Sequence, residues 1–140
     1  MKLRLRGDSL RLRLTQTEVL ALRDQGFWQE ATTLGASSGP RLAYRVESSP
    51  SGPPSVQHTA DSQGTTVTVI LPAAEVTTWA DSPSQVGIYF DEPWGLKVAV
   101  EKDFRCLDPN RDEDESDNFT NPTKAIRTWT PVTVTEVLGS

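Results

Sequence analysis

The clearest structural signal in the chain is at its start, in the stretch Lys2-Leu3-Arg4-Leu5-Arg6-Gly7-Asp8-Ser9-Leu10-Arg11-Leu12-Arg13-Leu14. Leucine alternates with basic residues over 2–6 and 9–14, and a period of two residues is typical of β-strands. Gly7-Asp8 between the two runs favours a tight turn. The stretch therefore predicts a β-hairpin with a leucine face and a basic face. The leucines predicted to face the core are Leu3, Leu5, Leu10, Leu12 and Leu14. The basic residues predicted on the opposite face are Lys2, Arg4, Arg6, Arg11 and Arg13.

A helix is predicted directly after this hairpin. Thr15-Gln16-Thr17-Glu18 matches the capping-box pattern, in which a Thr and a Glu three residues later satisfy each other's backbone N–H groups. Val19, Leu20 and Leu22 supply an apolar stripe, and Gly26 is a typical stop signal. The pattern predicts a helix over 16–25.

The rest of the first hundred residues repeats this order of elements. Strands are predicted at 27–34, 41–48, 55–60, 65–71, 85–91 and 95–102, with a second helix over 73–80 after Pro72. At one constant offset Leu14 matches Leu71 and Glu18 matches Glu75. The segment beginning at Leu42 also resembles the one beginning at Leu96. We therefore predict an internal repeat of strand-strand-helix-strand-strand, over about 2–48 and 55–102.

The predicted fold is a single α+β domain covering residues 1–140. A mainly antiparallel sheet is expected, and closure into a barrel is one arrangement that the pattern allows. Residues 103–122 are predicted to form an acidic loop, and residues 123–140 a final strand or a tail.

Composition excludes several classes of protein. The 140 residues carry a net charge of -5 and contain one Cys and one His. A single cysteine excludes an intrachain disulfide and a Cys-rich zinc site. No run approaches the roughly 20 apolar residues of a membrane helix, and no export signal is evident, so we expect a cytoplasmic protein without membrane partners. Nucleic acid is not the expected partner, because the net charge repels phosphate backbones.

The basic hairpin face is the first candidate site. Arginine presents a planar fork of donors that suits phosphate or carboxylate groups. The predicted anion-binding residues are Arg4, Arg6, Arg11 and Arg13. Two other interpretations stay open: a solvated sheet face, and pairing with the protein's own acidic stretch.

That acidic stretch, residues 108–118, is the second candidate. Oxygen-rich loops bind calcium or magnesium, and we name Asp108, Asp112 and Asp114 as candidate metal ligands. An EF-hand does not fit, because Glu113 stands where that loop needs Gly and Phe119 where it needs Glu. A solvated or self-paired loop with no cofactor is the favoured interpretation of this stretch, and the calcium or magnesium site is its alternative. Cys106 and His58 are the only Cys and His, and nothing in the sequence pairs them for catalysis.

The sequence also resembles two known groups of proteins. Residues 1–15, together with Val100-Glu101-Lys102-Asp103-Phe104-Arg105-Cys106-Leu107 and the later Asp112-Glu113-Asp114-Glu115-Ser116-Asp117-Asn118-Phe119, resemble the hallmarks of a family of small bacterial proteins of unknown function. The duplicated layout of one helix and four strands is similar to that of triphosphate tunnel proteins, although their alternating Glu and Lys near the start are replaced here by Lys2, Arg4 and Arg6 between leucines.

The tunnel resemblance implies an alternative function, a divalent-metal-dependent phosphohydrolase. Its metal-holding carboxylates would be Glu47, Glu101 and Asp103. Its phosphate ligands would be Arg4, Arg6, Arg11, Arg13, Arg45 and Lys97. The favoured function is a non-enzymatic binding or accessory domain that recognises an anionic small molecule or protein partner through the basic face.

Overall fold

Eight strands and two helices follow one another within residues 1–36 and 39–104, which the computed structural model describes. The strands are β1 (Lys2–Arg6), β2 (Ser9–Leu14), β3 (Phe27–Thr33), β4 (Arg41–Ser49), β5 (Ser55–Asp61), β6 (Gly64–Pro72), β7 (Gly87–Asp91) and β8 (Lys97–Lys102). The helices are α1 (Gln16–Gln25) and α2 (Ala73–Asp81). Their order confirms the two predicted β-β-α-β-β halves.

The strands form two four-stranded sheets. The first, sheet A, has the order β1-β2-β8-β7, and the second, sheet B, has the order β3-β4-β6-β5. The hairpins are antiparallel, but the two central pairs, β2 with β8 and β4 with β6, are parallel. The α+β class is confirmed. The closed barrel is not, since the described strands form two separate sheets, each with two edge strands.

The helices explain this arrangement. Each helix carries the chain from one sheet to the other, so the strands on either side of it do not pair with each other. Each sheet therefore combines one hairpin from each half, and the two hairpins meet along a parallel pair. Alternation in the sequence identifies the strands but does not specify these partners.

The two halves pair in equivalent register. Leu12 lies opposite Val100 in sheet A, and Val69 lies opposite Val46 in sheet B. The offsets that match Leu14 with Leu71 and Leu42 with Leu96 carry the first pair onto the second. A backbone hydrogen bond is repeated as well: the Ser48 N–H donates to Gly26 at 2.9 Å, and the Lys102 N–H donates to Val86 at 3.0 Å.

Helix α1 begins and ends as its sequence predicts. The Thr15 N–H donates to Glu18 Oε1 at 2.8 Å, and the Glu18 N–H donates to Thr15 Oγ1 at 3.4 Å, which completes the capping box. Gly26 ends the helix with φ of 94°, in the left-handed region that favours glycine.

One hydrophobic core draws on both sheets and both helices. Its largest fully buried side chain is Trp79, whose Nε1–H donates to the carbonyl of Val86 at 3.1 Å. The other fully buried side chains are Leu12, Leu14, Leu22, Leu71, Val46, Val69, Val76 and Val100. Leu5 lies on the same face of the hairpin as the buried leucines, but it is 63 % exposed and not part of the core, because it lies on an edge strand next to the turn. No helix in the described part of the chain is both long and apolar enough to cross a bilayer.

Candidate anion-binding face

The basic residues of the hairpin lie side by side on the outer face of sheet A. Lys2 lies opposite Arg13, and Arg4 lies opposite Arg11, so these side chains share the face away from the buried leucines. Lys97 of β8 joins the same face beside Ser9. We call this set of six side chains the basic face. Its members are Lys2, Arg4, Arg6, Arg11, Arg13 and Lys97.

Glu101 is the acidic centre of this face. Its carboxylate lies 3.1 Å from Arg11 Nε and 3.9 Å from Arg13 Nε. The Tyr89 hydroxyl donates to the same carboxylate at 2.7 Å. Burial and this hydrogen bond raise the pKa of Tyr89, so the phenol stays protonated. At the border of the face, Lys2 Nζ lies 3.0 Å from Asp103.

Arg4 and Arg6 stand apart from these pairs. Both are exposed, and within the described residues neither has a carboxylate within 4.0 Å. The strands of sheet A carry six positive side chains on this face against two negative ones, Asp91 and Glu101, a net charge of +4. Two exposed guanidinium groups on a positive sheet face are suited to bind an anion.

Sheet B provides an internal reference for this charge. In sheet A, Arg11 pairs with Arg4 and Ala99; at the equivalent place in sheet B, Thr68 pairs with Gln57 and Arg45. The outer face of sheet B carries Arg41, Arg45, Glu47 and Asp61, which sum to zero. The same backbone pairing thus forms with a neutral face, and the positive charge of sheet A is not a requirement of the fold.

The residues named for a phosphohydrolase do not meet in one described cavity. Glu101, Asp103 and Lys97 belong to the sheet A side, whereas Arg45 and Glu47 lie on sheet B, 3.2 Å from each other. Between the sheets lies the apolar core rather than a charged tunnel.

Two described cavities lie near the helices. One, of about 570 Å³, includes Leu20, Lys102, Asp103 and Phe104 in its lining. The other, of about 380 Å³, includes Glu75 and Tyr89. Neither is lined by an arginine of the basic face.

The predicted metal ligands Asp108, Asp112 and Asp114 lie outside the described residues, as do Cys106, the rest of the acidic loop from Arg105 on, and residues 123–140. Within 1–36 and 39–104, no group of three acidic, His or Cys side chains is placed to hold a metal ion. His58 is exposed on β5.

Sequence reasoning missed one charged cluster. The Met1 ammonium group is buried and contacts the carboxylates of both Glu18 and Glu30, and the Trp28 Nε1–H donates to Glu30 at 3.1 Å. Glu18 was identifiable as a capping residue, but nothing local indicates that the chain start lies against it.

Fold and site together define an α+β domain built from two interlaced halves, with a basic face on one of its two sheets. The chain belongs to the Family of unknown function (DUF7009), whose model matches residues 1–123. Comparison with curated proteins and with solved structures found no match.

Proposed function

We propose that this protein is a binding domain that holds an anionic ligand or partner on the basic face of sheet A. The observation that carries the proposal is the exposed pair Arg4 and Arg6 on a face of charge +4. The equivalent face of sheet B has a charge of zero. A fold that forms with a face of zero net charge in one sheet does not need a face of charge +4 in the other.

The spacing of the guanidinium groups suits an extended anion. Side chains two residues apart on a strand are separated by about 6.8 Å, and those directly opposite on neighbouring strands by about 5 Å. Arg4 and Arg6 are related in the first way, and Arg4 and Arg11 in the second. A row of carboxylates or phosphates with a similar repeat meets several arginines at once.

We also propose that the two halves arose by internal duplication in a bacterial chain. The equivalent registers of the central pairs and the repeated backbone hydrogen bond support a common origin. On this view the basic face is specific to one of the two duplicated sheets. The proposed compartment is the cytoplasm, since a chain with one cysteine has no intrachain disulfide that needs an oxidising environment.

Thermal-shift measurements test the proposal. The full chain is screened with inorganic polyphosphate, a phosphorylated sugar, polyglutamate, calcium and magnesium. A ligand at a hundred times its Kd adds about 2.7 kcal/mol of stability, which raises the Tm by several degrees. The Arg4→Ala/Arg6→Ala variant loses the shift caused by anions.

The matched control is Arg41→Ala/Arg45→Ala, which removes the same charge from sheet B and should keep the anion-induced shift. If no anion in the panel shifts the Tm, or if both double variants lose the shift equally, the basic face is not the binding site.

A further inference from the structure

The first strand, β1, lies at the edge of sheet A, and among the described residues the backbone groups on its outer side have no partner. It pairs only with β2 in the described sheet. The Gly7-Asp8 turn has two residues, so the closing pair Arg6 and Ser9 exchanges both backbone hydrogen bonds, and the pairs then alternate along the hairpin. Arg4 and Lys2 therefore bond to β2, while the N–H and C=O groups of Leu3 and Leu5 point to the open edge.

The equivalent edge in sheet B supports this assignment. Val56 of β5 corresponds to Leu3, since Val56 lies opposite Val69 as Leu3 lies opposite Leu12. The Val56 N–H donates to a carboxylate oxygen of Glu92 at 3.0 Å instead of to β6. The same edge position of this fold thus already binds an acidic group in one sheet. Among the described residues, Leu3 has no such acceptor.

The side chains of β1 indicate the chemistry of a strand that would pair with its edge. Lys2, Arg4 and Arg6 project on one face, and Leu3 and Leu5 on the other. Leu5 is 63 % exposed although its face is that of the core, so an apolar position stands open at the edge. A second copy of β1 does not suit this edge, because it would place a row of cations against a row of cations.

We propose that β1 binds an extended segment of a partner protein by strand addition, and that this segment alternates acidic with apolar side chains. The proposal rests on the proposed function and deepens it by naming the chemistry of the partner. The acidic side chains pair with Arg4 and Arg6, the apolar ones cover Leu5, and the backbone bonds to Leu3 and Leu5.

The probe is a synthetic seven-residue peptide, acetylated and amidated, that alternates Glu and Val. A scrambled peptide of the same composition and inorganic polyphosphate serve as controls, and each is titrated into the full chain. Hydrogen exchange followed by NMR gives the decisive reading. The alternating peptide should slow exchange of the Leu3 and Leu5 amides, while the Arg4 amide, already bonded to β2, changes little. Polyphosphate, which contacts side chains alone, should leave the Leu3 and Leu5 amides unchanged.

Substitutions distinguish the contribution of the backbone hydrogen bonds at the β1 edge from that of the arginine charges. Leu5→Pro removes an N–H from the open edge without touching the pairing with β2, a position that tolerates proline. This substitution should raise the Kd of the alternating peptide about fivefold to tenfold, which corresponds to the loss of one backbone hydrogen bond. The affinity for polyphosphate should stay the same. Leu5→Ala, which keeps the N–H, measures the loss due to the side chain alone. Arg4→Ala/Arg6→Ala should weaken the binding of both the alternating peptide and polyphosphate.

Each result decides between the two proposals. If peptide and polyphosphate bind while the Leu3 and Leu5 amides keep their exchange rates, the anion face stands and strand addition is wrong. If the scrambled peptide binds as well as the alternating one, strand addition is also wrong. If neither ligand binds, the proposed function fails together with this inference.

Discussion

Glu18 connects the first helix to the start of the chain. Its carboxylate closes the capping box and also contacts the Met1 ammonium. Burial alone would raise the pKa of Glu18, but the hydrogen bonds from the ammonium and from Thr15 outweigh it, and the pKa is lowered. A carboxyl whose pKa is lower in the folded state stabilises the fold above its unfolded pKa of about 4.3, and that contribution is lost as the pH falls through the folded value.

The pKa of the Met1 amino group shifts in the opposite direction to that of Glu18. Burial alone would lower its pKa, but the hydrogen bonds to Glu18 and Glu30 raise it. Its contribution is complete below the unfolded pKa of about 8 and is lost as the pH rises through the folded value. The pair therefore stabilises the fold most between these two limits.

Replacement of Glu18 tests this network. Glu18→Gln should lower the free energy of unfolding near pH 6 by about 1–3 kcal/mol, because it removes one of the two negative charges that contact the buried ammonium. The difference from the parent chain should narrow as the pH falls through the folded pKa of Glu18. Urea unfolding over a pH series measures both effects.

The repeat supplies a matched control. Glu75 occupies the equivalent place in α2, but it is exposed, and α2 has no side-chain cap. Glu75→Gln should change the stability by less than about 0.5 kcal/mol. Equal losses at Glu18 and Glu75 would contradict the role given to the Met1 contact.

At the scale of elements, the start of β6 depends on a glycine. Gly64 has φ of 135° and lies opposite Arg41 in the parallel central pair of sheet B. A Cβ at this position would overlap the carbonyl oxygen of Arg41. Gly64→Ala should therefore destabilise the protein by about 3 kcal/mol or more, measured by urea unfolding.

Gly52 separates backbone strain from this overlap. It also has a positive φ, 92°, but a Cβ there would meet nothing within 4 Å. Gly52→Ala should cost only the strain of the left-handed conformation, about 1–2 kcal/mol. If the two substitutions cost the same, the close approach of β4 to Gly64 does not restrict that position.

Local signals explain why the elements were predictable. The capping box and Gly26 confine α1 to the predicted residues, and strict alternation fixes β1 and β2 at both ends. Pairing was not predictable, because β2 joins β8 across more than eighty residues and alternation carries no partner information. The exposure of Leu5 follows from its edge position, which is itself a result of that pairing.

The candidate site was likewise predictable only where it depends on local sequence. Five of the six residues of the basic face were evident from the alternation of residues 2–13, since they lie within one hairpin. The tunnel resemblance named Glu101 together with the arginines of this face, but alternation alone does not place its carboxylate there, because Glu101 reaches Arg11 only through the parallel pair. The open edge at Leu3 and Leu5 likewise required knowledge of which strand ends the sheet.

At the scale of the described domain, the exchange of hairpins makes each sheet depend on both halves. Sheet A takes β1 and β2 from the first half and β7 and β8 from the second, and sheet B takes the complementary set. The core likewise combines Leu12 and Leu22 with Trp79 and Val100. Neither half on its own contains a complete sheet or a complete core, so the halves are expected to unfold together.

A core substitution in one sheet tests this cooperativity. Leu12→Ala should lower the free energy of unfolding by about 2–5 kcal/mol, because Leu12 is 1 % exposed and its removal leaves a cavity. Native-state hydrogen exchange then reports where the loss appears. If the halves form one unit, the most protected amides of β4 and β6 in sheet B should lose as much protection as those of β2 and β8. Leu5→Ala, at an exposed position on the same face of the hairpin, should leave both sheets nearly unchanged. A loss confined to sheet A would mean that the two sheets open independently, and that exchanging hairpins does not couple the halves.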